Sequence, residues 1–122
     1  MKKKRSRKSL SDEADRLFSL QVRARGHCEL WILKPDLRCA GDHQCCHVLS
    51  RRYRSVRWSE DNAFCGCQAH HTWFTHNPHA FYLAVESAFP GLQERLWEQA
   101  QIPWDKSLAA VLDRLRASEE AI

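Results

Sequence analysis

Residues 45–74 read CCHVLSRRYRSVRWSEDNAFCGCQAHHTWF, and this stretch decides the expected fold. The short apolar run HQCCHVLS is typical of a strand, and it ends in the arginine-rich loop 50–57. Residues 59–62 mark a turn, after which the Ala-Phe pair leads into a second strand. A short helix is expected over 67–74, because the Asn-Pro pair at 77–78 interrupts it. The pattern therefore predicts two strands followed by one helix.

Cysteine and histidine are abundant, with six and seven residues. Thiols stay reduced in the cytosol, so this density favours a metal site over a disulfide framework. Cys67 and His70 have the C-x2-H spacing that places two donors on one tight turn. Cys39 precedes an Ala-Gly pair that suits a knuckle, and Cys28 lies before an insertion, ELWILKPDLR, that is expected to bulge between the two. We therefore predict a structural zinc site with these four ligands: Cys28, Cys39, Cys67 and His70.

Other assignments of the six thiols remain open. Cys28 and Cys39 could both be ordinary buried thiols, which pack as small apolar side chains. Cys65 is the substitute ligand, although on a strand it faces away from Cys67. Cys45 is expected in the core. A thiol redox protein is not favoured, because neither cysteine pair has C-x-x-C spacing.

A possible catalytic group stands where the first strand meets the arginine-rich loop. His47 lies there, and a histidine can act as the general base that activates water for attack on a phosphodiester. Asn62 could orient the loop by side-chain hydrogen bonds, or be a plain turn residue. His71 points away from His70 on a helix, so we assign it to a catalytic metal ion. The side chains expected to hold the phosphate backbone are those of Arg51, Arg52, Arg54 and Arg57.

The flanking segments predict helices around this module. Residues 1–9 carry six of the positive charges of a chain whose net charge is +4, and we expect a disordered basic tail that contacts phosphate. Ser11 is expected to cap a helix that runs to Arg25 and stops at Gly26. The remainder, 10–122, is expected to be one domain. Three C-terminal helices are predicted as a cover over the metal module, within 79–118, at 79–89, 92–101 and 107–117.

No apolar run approaches the roughly 20 residues that span a bilayer. We therefore expect a soluble, cytoplasmic protein with no membrane partner.

Residues 46–78, CHVLSRRYRSVRWSEDNAFCGCQAHHTWFTHNP, resemble the HNH (ββα-metal) endonucleases, in particular their small phage and bacterial branch. The resemblance implies a β-hairpin and a helix that clasp a catalytic divalent ion, usually Mg²⁺ or Mn²⁺, beside a structural zinc. It makes His47 the general base, Asn62 the central asparagine and His71 a metal ligand. It also implies DNA as substrate, with phage recombination or packaging proteins as possible partners.

The chain departs from the family pattern at two places. The tight C-x2-C knuckle is stretched to Cys28 and Cys39. Cys46 stands before the base, where the family often has an Asp or His ligand, and a thiolate suits Mg²⁺ poorly. Cys46 would then serve a softer ion, or the ion would depend more on water and phosphate.

Together these features predict an α+β fold: a small ββα-metal (HNH) module over 28–78, preceded by one helix and covered by helices. The expected function is metal-dependent hydrolysis, by nicking or cutting, of DNA phosphodiester bonds. The alternative is a non-catalytic zinc module that binds nucleic acid or a phage protein.

Overall fold

The computed structural model describes residues 5–104 and 106–120, and it shows an α+β fold with six helices and a two-stranded sheet in that part of the chain. Short 3-10 turns occupy Glu29–Leu33 and Glu60–Asn62. None of the helices in the described ranges is long and apolar enough to cross a membrane. The helices are α1 (Arg7–Arg23), α2 (Arg54–Arg57), α3 (Gln68–His76), α4 (Pro78–Ala88), α5 (Leu92–Ala100) and α6 (Leu108–Glu120), and the strands are β1 (His43–His47) and β2 (Ala63–Cys67).

The two strands pair antiparallel, and α3 follows β2 without an intervening residue. In the register, His43 lies opposite Cys67 and His47 lies opposite Ala63. Cys67 ends β2 and also caps α3, since its thiol accepts a hydrogen bond from the N–H of His70. The predicted order of strand, strand and helix is therefore present, with α2 inserted in the connection between the strands.

The sheet separates two apolar clusters, because successive side chains of a strand point to opposite faces. Cys45 packs on the side of α1 and α6, whereas Cys46 packs on the side of α3 and α4. The first cluster includes Leu17, Phe18, Val22, Trp58, Cys65, Val111, Leu112 and Leu115. The second includes Leu30, Phe64, Phe74 and Val85.

The first helix begins earlier than the sequence indicated. Ser6 is its N-cap, with Oγ accepting from the N–H of Ser9 at 3.1 Å, so residues 7–9 are helical and Ser11 is a buried helical residue. The predicted cap at Ser11 is wrong because a second serine, five residues earlier, caps equally well. Ion pairs of Arg5 with Glu13 and of Lys8 with Asp12 also offset the positive charge there. Residues 1–4 of the expected tail lie outside the described residues.

The later helices begin and end within three residues of the expected positions. Pro78, expected only as a break, is the first residue of α4, where its missing N–H costs nothing. The apolar stripe of α6 is buried as expected, and it packs in one cluster with α1 and with Trp58 and Cys65. Gln21 supports this pairing, because its Nε2 donates to the carbonyl of Leu115 at 2.6 Å.

Asp15 of α1 ties this helix to the arginine-rich segment. Its carboxylate accepts two hydrogen bonds from Arg57, at 3.0 and 2.6 Å, and one from the indole N–H of Trp58 at 3.0 Å. Arg51 adds a longer contact of 3.3 Å. The side chains of Asp15 and Arg57 are each only 16 % exposed, so water screens this pair weakly.

We expect Asp15→Ala to lower the free energy of unfolding by about 2–4 kcal/mol, because it leaves a largely buried guanidinium without its partner. Asp12→Ala on the same helix is the matched control, since its side chain is 61 % exposed and its ion pair should contribute less than about 0.5 kcal/mol. Urea unfolding followed by circular dichroism measures both. Equal effects of the two substitutions would contradict the role given to Asp15.

Candidate metal centre and candidate base

Four donor side chains converge beside the start of α3. Cys28 precedes the first 3-10 turn, Cys39 lies in the loop before β1, and Cys67 and His70 share the β2–α3 junction. Their ligating atoms all lie within 4.8 Å of one another. The predicted cluster of four donors is therefore confirmed, and it could hold a metal ion.

Hydrogen bonds orient these donors toward a common point. The N–H of Cys67 donates to Sγ of Cys28 at 3.3 Å, and the N–H of His70 donates to Sγ of Cys67 at 3.5 Å. Nε2 of His70 lies 2.9 Å from the carbonyl oxygen of Lys34, which can only accept, so Nε2 carries the proton. The lone pair of Nδ1 then faces the sulfurs of Cys67 and Cys39, at 3.2 and 3.7 Å.

This arrangement fits a tetrahedral ion. Metal–sulfur and metal–nitrogen bonds of about 2.3 and 2.0 Å place neighbouring donors roughly 3.5–3.8 Å apart, close to the separations seen here. A ligating histidine commonly donates its other N–H to a backbone carbonyl, as His70 does to Lys34. Three sulfurs and one imidazole select a soft ion over Mg²⁺ or Ca²⁺.

The thiols of the cluster cannot all ionise easily without a cation. Burial acts to raise the pKa of Cys67, but hydrogen bonds, the largest of them from the backbone N–H of His70, outweigh it and lower that pKa to about 6. Desolvation and the neighbouring thiols of Cys67 and Cys28 raise the pKa of Cys39 to about 11. A bound ion would compensate the crowded negative charge and displace the remaining protons.

The insertion between Cys28 and Cys39 is anchored to the sheet by one side chain, while the neighbouring Trp31 and Ile32 are exposed. Its Leu30 is fully buried against Gly66 of β2. A Cβ on Gly66 would lie 2.3 Å from Cδ1 of Leu30, so only glycine permits this close approach. The backbone of the insertion thereby brings the Lys34 carbonyl to His70, a contact that the sequence gives no signal for.

His47 ends β1 with one ring nitrogen fixed. Its Nε2 lies 3.1 Å from the carbonyl oxygen of Arg57, so Nε2 is the donor and Nδ1 is left as the acceptor. The ring packs against that of Phe18, with centroids 5.6 Å apart. Burial lowers the pKa of His47 below its ordinary value of 6.5. The imidazole is therefore neutral at pH 7 and able to accept a proton at Nδ1.

Asn62 fixes the backbone that follows His47. It is fully buried, its Oδ1 accepts from the N–H of Leu49 at 2.8 Å, and its Nδ2 donates to the carbonyl of the same residue at 3.0 Å. Its own carbonyl accepts from Val48 at 2.9 Å. Three bonds to two consecutive residues hold the start of the loop and exceed what a plain turn residue needs.

His71 and Cys46 do not join His47. Nδ1 of His71 lies 2.7 Å from Oε1 of Gln44, which is three residues before His47 and so on the opposite face of β1. Cys46 is buried in the apolar cluster beside Phe74, and burial raises the pKa of its thiol to about 12. It packs as a core residue on the face of β1 that also carries Gln44, and its assignment as a ligand of a catalytic ion stays a prediction. In the described residues, three ligating side chains converge only at the Cys28–His70 cluster.

The four arginines have different environments. Arg57 and Arg51 are both engaged by Asp15, so they hold the fold together. Arg54 lies over the ring of Trp104, and exposed Arg52 lies against its neighbour Tyr53. Arg52 and Arg54 are therefore better placed to bind an anion than Arg51 and Arg57, which would first have to give up their contacts with Asp15.

Comparison of the chain with protein-family models, with curated proteins and with solved structures finds no match. A functional conclusion therefore depends on the geometry of the four-donor cluster and of His47.

We expect purified protein to contain about one tightly bound zinc ion per chain, since the donors are already in place. Cys67→Ser should abolish this content and lower the melting temperature through loss of the ion, because a serine hydroxyl can still cap α3 but is a poor ligand for a soft ion. Cys45→Ser, a substitution one strand away and outside the cluster, should keep the ion. Elemental analysis with a chelator-treated sample measures all three, and equal metal loss in both variants would contradict the ligand assignment.

Proposed function

We propose that this protein is a zinc-stabilised, metal-dependent DNA endonuclease of the HNH type, with His47 as its general base. The observation that carries the proposal is the neutral imidazole of His47, whose proton is held on Nε2 by the carbonyl of Arg57. It stands at the end of β1, and Asn62 locks the loop that follows. A fixed tautomer with one free lone pair is what proton abstraction from water requires.

The ion of the four-donor cluster is proposed to be Zn²⁺, in a structural role. Four protein donors complete a tetrahedral shell and leave no position open for substrate. Such an ion would fix the first 3-10 turn and the start of α3 to β2, and so hold the sheet that presents His47.

Hydrolysis would begin when Nδ1 of His47 takes a proton from a water molecule whose oxygen bonds to phosphorus. The bond from phosphorus to the 3′ oxygen would break, and that oxygen would leave as a hydroxyl after taking a proton from solvent. Arg52, exposed and without a carboxylate partner among the described residues, could position the phosphate backbone. A second divalent ion, as the resemblance implies, would neutralise charge on the phosphate when bound. Among the described residues no second group of donors converges beside His47, because His71 and Gln44 lie on the other face of β1 and Cys46 is in the core.

A second candidate function is a non-catalytic zinc module that binds nucleic acid or a phage protein. The separation of His47 from His71 by the strand favours it, because a one-metal nuclease needs base and ion on the same phosphate. A supercoiled-plasmid assay across Mg²⁺, Mn²⁺, Ni²⁺ and Zn²⁺, with and without EDTA, separates the two. Nicking that EDTA abolishes supports the enzyme, and binding without nicking supports the module. An association with phage or mobile-element proteins in a bacterial cell stays a prediction from the resemblance.

We expect His47→Ala to reduce plasmid nicking by about 10²–10⁴-fold, the range for loss of a general base, while zinc content and DNA binding persist. His79→Ala is the matched control, since that histidine is exposed on α4. Gel quantification in Mg²⁺ and in Mn²⁺ gives the rates. Undiminished nicking by His47→Ala in either ion would remove the assignment of the base.

The rate of nicking should depend on pH through His47. The base is the unprotonated form, and burial lowers the pKa, so the rate should rise with pH through a midpoint below 6.5 and level off above it. The nearby charges act in both directions, since Arg51 and Arg57 lower this pKa and Asp15 raises it. Single-turnover rates between pH 5 and 8, with metal saturating, test this. A midpoint above 7, or a rate that falls as pH rises, would contradict it.

A further inference from the structure

A cavity of about 530 Å³ lies between α2, the segment that follows α5, and α6. This volume is within the usual range of small-ligand sites, roughly 300–1,000 Å³. Its apolar wall includes the rings of Trp58 and Trp104 and the side chain of Ile102. Neither the four-donor cluster nor His47 contributes a lining residue, so the cavity is distinct from both candidate sites.

The same cavity is lined by three cationic side chains, Arg54, Lys106 and Arg114, and none of its described lining residues is acidic. Arg114 is anchored, because its Nη2 donates to the carbonyl of Trp58 at 2.6 Å. A concentration of positive charge beside an apolar wall favours a ligand that carries both an anionic group and an apolar body.

Arg54 provides an independent sign of a missing ligand. Its Nη1 is buried and has no hydrogen-bond acceptor among the described residues. Buried donors are nearly always satisfied in folded proteins, and a charged one left without an acceptor is costly. An anionic oxygen in the cavity would supply that acceptor.

Trp104 suits a planar ligand. The guanidinium carbon of Arg54 lies 5.3 Å from the centre of its ring, so each side chain restrains the other. The rings of Trp104 and Trp58 are 5.9 Å apart and inclined at 51°, which opens a wedge between their planes instead of a closed stack. Trp104 is only half-buried, and tryptophan is a common platform for unstacked nucleic-acid bases.

We propose that this cavity binds one nucleotide, with its unstacked base against Trp104 and its phosphate on Arg54. Inorganic phosphate would use the cations and leave the aromatic wall unused, and an uncharged nucleoside would leave Nη1 of Arg54 unsatisfied. The nucleotide is either free or splayed out of a DNA strand. The proposal does not require cleavage, since it holds whether or not His47 is catalytic.

Isothermal titration calorimetry on the zinc-loaded full chain tests the proposal with four probes: a 5′-deoxynucleotide, the matching nucleoside, inorganic phosphate and a short single-stranded oligodeoxynucleotide. We expect saturable binding of the nucleotide below about 1 mM, and at least tenfold weaker binding of nucleoside and phosphate. Competition between nucleotide and oligonucleotide assigns the site to a strand. Nucleotide binding that the oligonucleotide does not displace assigns it to a free nucleotide.

Arg54→Gln should weaken nucleotide binding about tenfold or more, because a charge-assisted hydrogen bond is lost. Arg95→Gln is the matched control on α5, an exposed arginine outside the cavity, and should bind as the unmodified protein does. Lys106→Gln covers the case in which Arg54→Gln does not fold, because Lys106 is exposed and its loss should weaken binding severalfold without affecting stability.

Three results would overturn the proposal: no saturable nucleotide binding, equal affinity for nucleotide and inorganic phosphate, or unchanged affinity when either Arg54 or Lys106 is replaced. Equal affinity for phosphate would leave a simple anion site and exclude a role for the tryptophan. Unchanged affinity in the variants would place any binding elsewhere on the protein.

Discussion

The sulfur of Cys67 is the point on which the rest of the structure depends. Cys67 is the last residue of β2. Its sulfur caps α3 by accepting a hydrogen bond from the N–H of His70, and the same sulfur belongs to the four-donor cluster. The direction in which α3 leaves the sheet is therefore fixed by the same atom that would bind the ion. The sulfur of Cys28 accepts a hydrogen bond from the N–H of Cys67. This bond holds the first 3-10 turn beside the junction of β2 and α3. A chain of 122 residues has a modest buried core. Contacts of several elements at one sulfur therefore add stability that apolar packing alone supplies less well.

The two faces of the sheet pack against different parts of the protein. Cys46 and Gln44 point toward α3 and the apolar cluster around Phe74, whereas Cys45 and His47 point toward α1. The surroundings of His47 therefore come from α1 and α2, because Phe18 packs against its ring and the backbone carbonyl of Arg57 accepts a hydrogen bond from its Nε2. The four-donor cluster stabilises the sheet from one end, and it does not itself create the environment of the imidazole.

The two strands, the longer helices and the donor pair Cys67 and His70 could be predicted from the sequence because their signals are local, whereas α2 was expected to be part of a loop. The C-x2-H spacing of Cys67 and His70 corresponds to one turn of α3, and the apolar spacing in α6 matches its buried face. The start of α1 could not be fixed, since Ser6 and Ser11 are the same residue type and either can cap a helix. The ion pairs of Asp15 with Arg51 and Arg57 could not be predicted either, because about 40 residues separate the partners in the sequence. Composition alone made all four arginines appear free to hold phosphate.

The placement of His47 and His71 shows most clearly where sequence reasoning stops. Their order in the chain matched the expected pattern, yet the face that each ring occupies depends on strand register and on the contact of Gln44 with α3. The element that lies close to His47, in place of His71, is α2. The carbonyl of Arg57 fixes the imidazole, and Arg54, one turn earlier, lines the cavity beside Trp104. One short helix therefore supplies both the carbonyl that fixes the imidazole and a cation that lines the cavity. The two candidate regions are neighbours because α2 lies between them, although no residue belongs to both.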